Sequence, residues 1–168
     1  MNSRAVFFLI FLLCAGLLGV ALYMEHVMGL EPCPLCWLQR FGFMAAGIVS
    51  LLAALHGPHG FGARVYGLLL SVSAGAGMAM AGRQLWLQSL PADQVPACGP
   101  SVDYMLDVLP WMEVLTTALK GTGDCAEVTW RFLGLSIPGW TAIFFSLLVI
   151  VGLVMLFRPP RKPEWIQG

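Results

Sequence analysis

Cys33 and Cys36 stand as Cys-Pro-Leu-Cys, with Arg40 four residues after the second thiol. A pair so close in sequence closes almost no loop and adds little as a staple. It suits thiol exchange instead, because a Cys-x-x-Cys thiolate is readily stabilised. Pro32 and Pro34 fit the start of a helix, and a helix N-terminus favours an anion. On that helix Arg40, at i+4, shares a face with Cys36. A permanent cation there lowers the energy of a thiolate. The plain alternative is an interfacial arginine meeting phospholipid head groups.

Cys98 and Cys125 lie further along, separated by the 26 residues from 99 to 124. A static bridge between them would contribute roughly 3–4 kcal/mol by chain entropy, so a stapling role is open as well as a working one. Structural zinc asks for two short-spaced pairs, and the second pair does not have that spacing, so no metal site is expected. Cys14 stands alone in an apolar run and reads as a small packing residue. His26, His56 and His59 have no ligand spacing with one another, there is no Ser/His/Asp grouping, and Gly57, Gly60 and Gly62 read as turn formers.

The elements that must position these residues are set by composition. The 168 residues are 58% hydrophobic and 11% charged, with a mean hydropathy of +0.80. A soluble domain carries about 25% charged residues, so the expected solvent is a bilayer. Net charge is zero and there is no basic run, so nothing points to nucleic acid. Four segments reach the roughly 20-residue spanning length or approach it: about 5–24, 36–55, 65–82 and 140–157. Arg40 falls near the end of the second, where it can snorkel to the interface. The first run is too long for the 7–15-residue core of a signal peptide. Leu13, before Cys14, is not the small residue of a lipoprotein cleavage site.

Orientation follows from Lys and Arg density. Arg4, Arg64, Arg158, Arg161 and Lys162 fall on the side holding segments 1–4, 56–64 and 158–168. The other side, with the helix ends included, spreads Arg40, Arg83, Lys120 and Arg131 over far more residues. The termini are therefore expected in the cytoplasm. Segments 25–35 and 83–139, with four of the five cysteines in or beside them, are expected outside. An oxidising compartment there favours cysteine pairing. Arg40, at the edge of the lipid phase, could also hydrogen-bond a quinone carbonyl or stabilise a reduced quinone's charge.

The expected fold class is an all-α membrane protein, a four-transmembrane-helix bundle in one domain. Ser71/Gly75 and Ser73/Gly77, small pairs at four-residue spacing, mark the third helix as central. Tyr23, Trp37, Trp86 and Trp140 read as interfacial anchors, although Trp37 lies inside the reactive segment and a ligand role is open. The second outside loop turns apolar between Val102 and Leu119 at three- and four-residue steps, interrupted by Pro110. A short amphipathic helix on the outer leaflet fits that pattern. A cover over the helix ends fits it too.

The chain resembles the disulfide bond formation protein B (DsbB) family over nearly its whole length. The likeness rests on Glu31-Pro-Cys-Pro-Leu-Cys-Trp-Leu-Gln-Arg40, the lone Cys98, Gly123-Asp-Cys-Ala-Glu127, and Trp130-Arg-Phe-Leu-Gly-Leu135 running on to Pro138 and Trp140. The resemblance implies a periplasmic thiol:quinone oxidoreductase of the inner membrane. It would reoxidise a soluble thioredoxin-like oxidase, DsbA, and pass two electrons to ubiquinone or menaquinone. It implies redox pairs Cys33–Cys36 and Cys98–Cys125, with Cys98 attacked by the partner and an exchange joining Cys33 to Cys125. Cys36 would face the quinone and Arg40 would bind it. Such a partner is a strong oxidant, near −120 mV, and an ordinary structural disulfide below about −300 mV could not reoxidise it. Pro96 and Pro100 flank Cys98 in a stretch expected to lie across the partner's groove as an extended peptide.

Some relatives carry a histidine in the tract leading into the second loop, whereas Arg83 to Pro91 has none. Water, Gln88 or Ser89 are the groups that could stand in for it. Two other readings stay open. A vitamin K epoxide reductase-like enzyme also uses four helices and loop cysteines, but its Cys-x-x-Cys comes late in the core. A non-catalytic scaffold would keep its cysteines as fixed staples.

Overall fold

The computed structural model describes residues 3–100 and 102–158. Arg161 and Lys162, used above for orientation, lie outside the described residues. The chain is an all-α, four-span membrane protein. Among the described residues four helices are long and apolar enough to cross a bilayer: α1 (Ser3–His26), α2 (Pro34–His56), α3 (Phe61–Gln88) and α6 (Ile137–Phe157). Two short helices, α4 (Val102–Val108) and α5 (Trp111–Lys120), sit in the long loop. A single 3-10 turn (Gly123–Cys125) follows, then the two-residue strands β1 (Arg131–Phe132) and β2 (Leu135–Ser136).

Local signals account for the ends of α2. Pro34 opens α2 at a position where its missing N–H costs nothing. Gly57 closes α2 in the left-handed region (φ 61°) while its N–H reaches the carbonyl of Ala53 at 2.9 Å. A side chain there would be strained, and an added Cβ would also strike Arg4. The third helix runs to Gln88, past the end of its apolar run at Gly82. No breaker intervenes before Pro91, and Arg83 is accommodated over the Trp86 ring (4.3 Å) with a bond to the Lys120 carbonyl.

In the bundle α2 lies between α1 and α3, and α3 packs along α6. Gly67 of α3 and Gly152 of α6 let those backbones meet, since a Cβ on Gly67 would stand 2.7 Å from the Gly152 carbonyl oxygen. Ser71 shares this contact row, as a Cβ on Gly152 would meet its Oγ at 2.3 Å. Gly77 cradles Phe145, whose ring stacks on Phe43 with centroids 4.0 Å apart. The small pairs of α3 thus divide. Ser71 and Gly77 face neighbours, whereas Gly75 looks into open space and the half-buried Ser73 bonds back to its own helix at the Leu69 carbonyl. Two residues' difference is about 200° around a helix, so rows 71/75 and 73/77 cannot both face one partner along their whole length.

The first helix is the outlying wall. Near its start, Ser3 donates to the Pro58 carbonyl (3.0 Å) and Phe7 meets Tyr66 edge-on. Among the described residues it makes no extensive contact with α6, and a cavity lined by residues of both helices lies between them.

The apolar stretch of the long loop forms two helices rather than one, because Pro110 ends α4 and caps α5. Val114 and Ala118 bury one side of α5, while Trp111, Met112, Leu115 and Leu119 stay exposed. Beyond it, Arg131 pairs with Ser136 and Phe132 with Leu135. The turn between them holds Leu133 and Gly134 at φ 50° and 81°, the two positive values of a type I′ hairpin turn.

Candidate active site

Cys33 caps α2 with extended backbone (φ −66°, ψ 162°), and its carbonyl accepts the Trp37 N–H at 3.2 Å. Cys36 follows in the first turn, so one helical turn brings both thiols to one side. Their Sγ atoms are 2.9 Å apart and both residues are half-buried. All five cysteines are free thiols.

Cys125 comes to this pair from the opposite direction. The 3-10 turn holds it fully buried among Leu35 and Leu87, and its side chain hydrogen-bonds that of Cys33. That bond, with backbone N–H donors of Leu35 and Thr122, holds the Cys125 thiol well below its usual range, at about 6. The same bond, joined by the one to Cys36 and by burial, pushes the Cys33 thiol up. In effect Cys33 keeps the proton and donates it toward a Cys125 thiolate.

Cys98 stands apart from this cluster, exposed on a stretch without regular secondary structure. Its thiol bonds the Asp124 carboxylate, and that bond with the carboxylate's charge pushes the Cys98 thiol up. Asp124 also accepts the Gly99 N–H (3.1 Å) and the Thr122 hydroxyl (3.2 Å). The Gly123 N–H donates to the Ala97 carbonyl at 3.1 Å, which lays the Cys98 segment along the Cys125 turn. Only glycine fits there, since a Cβ would stand 2.5 Å from the Pro96 carbonyl oxygen. No hydrogen bond joins Cys98 to Cys125 among the described residues.

On the far side of the Cys33–Cys36 pair is the cavity, about 420 Å³ in volume. Apolar residues of α1 (Leu17, Ala21) and α6 (Phe144) line it, together with Cys36 and Arg40. Arg40 is already partnered. It forms a part-buried ion pair with Glu25, and its second nitrogen donates to the Ala21 carbonyl at 3.2 Å. Trp37 lies outside the cavity lining, beside Phe41 and 5.7 Å from the Arg40 guanidinium.

The sequence reading missed three polar residues here. Gln84, near the end of α3, points its amide at both sulfurs, and Gln39 of α2 bonds Gln84 at 2.7 Å. Glu25 is the third. The signal for Gln39 was its i+3 spacing from Cys36, and for Gln84 an uncharged polar side chain four residues before Gln88 on a helix face that proves buried. Gln88 does reach the cavity, where it accepts from Ser136 at 2.9 Å, but Ser89 is exposed and donates to the Trp86 carbonyl.

The family model described as disulfide bond formation protein DsbB matches residues 3–155. The chain is 78% identical over 168 residues to disulfide bond formation protein B of Marinobacter nauticus, covering 100% of both chains. It is 55% identical over 161 residues to the protein of that name from Hahella chejuensis, covering 96% of this chain and 98% of the other. The match to the Nitrosococcus oceani protein of that name is 51% over 158 residues, 94% of each.

Proposed function

The chain belongs to the disulfide bond formation protein DsbB family, and from that premise we propose how its own residues carry out thiol:quinone oxidoreduction. The observation that carries the reading is a continuous row of groups. Cys125 bonds Cys33, Cys33 lies 2.9 Å from Cys36, and Cys36 borders the cavity.

The partner is a DsbA-like periplasmic dithiol. Its thiolate attacks Cys98 Sγ of a Cys98–Cys125 disulfide, forming a mixed disulfide and leaving the electron pair on Cys125. The exposure of Cys98 favours attack there, and the N–H groups of Leu35 and Thr122 lower the energy of the Cys125 thiolate as it leaves. The partner's second thiol then closes its own disulfide and releases Cys98. The Cys125 thiolate attacks Cys33 Sγ of the Cys33–Cys36 disulfide, making a Cys33–Cys125 bond and placing the pair on Cys36. Return of Cys98 to Cys125 frees Cys33. The overall balance is two electrons and two protons removed from the partner.

A bound quinone supplies the two-electron sink for Cys36. The cavity fits such a group, being walled by apolar side chains and bordered by a thiol and a cation. Arg40 would hold it, exchanging Glu25 for a quinone oxygen, and Phe144 with the α1 face would pack its ring and tail. The protein is multi-pass in the membrane. Family membership supports an inner-membrane location, and the charge asymmetry supports cytoplasmic termini with the four working cysteines periplasmic; the exposed face of α5 would then lie on the outer leaflet.

The test is quinone absorbance in a mixture of the purified chain, a reduced thioredoxin-like oxidase and a soluble quinone. Reduction that is lost in both Cys98→Ala and Cys36→Ala supports the route. Absence of reduction by the intact chain with an active partner overturns it.

A further inference from the structure

We propose that Gln84 is a catalytic residue of this site, and that Gln39 and Thr141 are positioning residues that aim its amide at the sulfurs. The inference rests on the thiol-exchange reading above and adds to it the group that receives the charge.

The geometry is a chain of hydrogen bonds crossing three helices. The Thr141 hydroxyl of α6 donates to Gln39 Oε1 at 2.6 Å, and lies 3.0 Å from the Pro138 carbonyl as a second acceptor. Gln39 Nε2 donates to Gln84 Oε1 at 2.7 Å. Gln84 Nε2 is then left facing Cys33 Sγ and Cys36 Sγ, each at 3.4 Å. Both glutamines are 3% exposed. An amide has two ends that differ in sign. The Gln39–Gln84 bond couples the two amides, so that turning one requires turning the other. Gln84 thus presents its donor end to both sulfurs at 3.4 Å, while its Oε1, 3.6 Å from Cys36 Sγ, accepts from the Cys36 thiol.

That direction matters in one step. When an incoming thiolate bonds Cys33 Sγ, the Cys33–Cys36 bond breaks and its electron pair stays on Cys36. A buried charge needs donors at the moment it appears. Cys36 has Gln84 Nε2 already in place, tied to the bundle through α2 and α6. Donors that meet the reduced sulfur stabilise the reduced form and make the pair more oxidising, as a stabilised reduced form does in other thiol oxidants. A pair that must accept electrons from a strong oxidant requires that bias.

The experiment uses the full chain in detergent, freed of quinone, with Cys14, Cys98 and Cys125 replaced by Ala. The Cys33–Cys36 pair is equilibrated against dithiothreitol buffers and scored by thiol trapping. Gln84→Leu removes the donor. Gln84→Glu keeps the shape and replaces the donor with an acceptor, in case the leucine variant does not fold. Either should lower the equilibrium constant for reduction about tenfold, equal to about 30 mV. Gln39→Leu should lower it by less, and Gln39→Leu combined with Gln84→Leu should match Gln84→Leu alone, because Gln39 acts through Gln84. A constant unchanged in folded Gln84→Glu overturns the proposal. So does a double variant whose shift is the sum of the singles. No partner or quinone is present, so failure of quinone reduction in the separate assay would sink the functional reading while leaving this result standing.

Discussion

Replacing Cys33 by Ala should switch off the acidity of Cys125 while leaving its position intact. Cys125 sits at about 6, against an ordinary 9.0, and the bond from Cys33 is the largest cause. At pH 7 a thiol of pKa 6 is about 90% thiolate, and one of pKa 9 about 1%. The remaining influences on Cys125 oppose each other, burial raising it and the Leu35 and Thr122 N–H groups lowering it. The titration midpoint should therefore climb by most of that interval. The measurement is thiolate ultraviolet absorbance against pH, in a chain whose Cys14, Cys36 and Cys98 are Ala so that only the two partners titrate. The parent should show one proton leaving near pH 6 and a second only at high pH, because the pair shares the proton that remains. Cys33→Ala should show a single midpoint well above 7. A midpoint still near 6 without Cys33 would refute the reasoning and assign the acidity to the backbone donors.

Three further outcomes can be checked. Asp124→Asn removes the charge that pushes the Cys98 thiol up, so the pH profile for Cys98 alkylation should move to lower pH, and no movement would remove Asp124 as the cause. Gly77→Ala places a methyl 2.2 Å from the Phe145 ring. It should cost about 1–3 kcal/mol in thermal unfolding in detergent, while Gly75→Ala, which meets nothing, should leave the melt unchanged. Glu25→Gln leaves the Arg40 cation unpaired at a part-buried site. A loss of roughly 1–3 kcal/mol is expected, most of it restored by Arg40→Gln in the same chain, and additive losses would show that the two do not act as a pair.

What the residues disclosed depended on how far apart the interacting groups lie in sequence. The four spans are legible because a bilayer demands long apolar runs, and those runs are local. The Cys33, Cys36 and Arg40 grouping is legible because one helical turn places it. The helix ends were less so. The third helix extends to Gln88 since hydrogen bonding, not hydropathy, decides where a helix stops, and the loop stretch splits at Pro110. The joining of Gln39, Gln84 and Thr141 was not legible, because they come from three helices and only Gln39 and Gln84 carry any local spacing signal, each within its own helix. Glu25 was hidden for the same reason, fifteen residues from Arg40. The position of Cys125 against Cys33 could be named only through family likeness, as the contact crosses 92 positions of sequence, 125 minus 33.

The way α1 is held has a mechanical meaning. Its Ser3 end is clamped, by Ser3 to the Pro58 carbonyl, by Arg4 to the Leu55 carbonyl and by Phe7 against Tyr66. Its Glu25 end is fastened to α2 by the Arg40 clasp on Glu25 and Ala21, with the cavity rather than α6 on its other flank. A helix of 24 residues is about 36 Å long, and between the two fastenings it packs along α2, with Cys14 against Gly47. A group that drew the guanidinium away from Glu25 would undo one of those fastenings, leaving this wall of the cavity to the Ser3 clamp and the α2 packing.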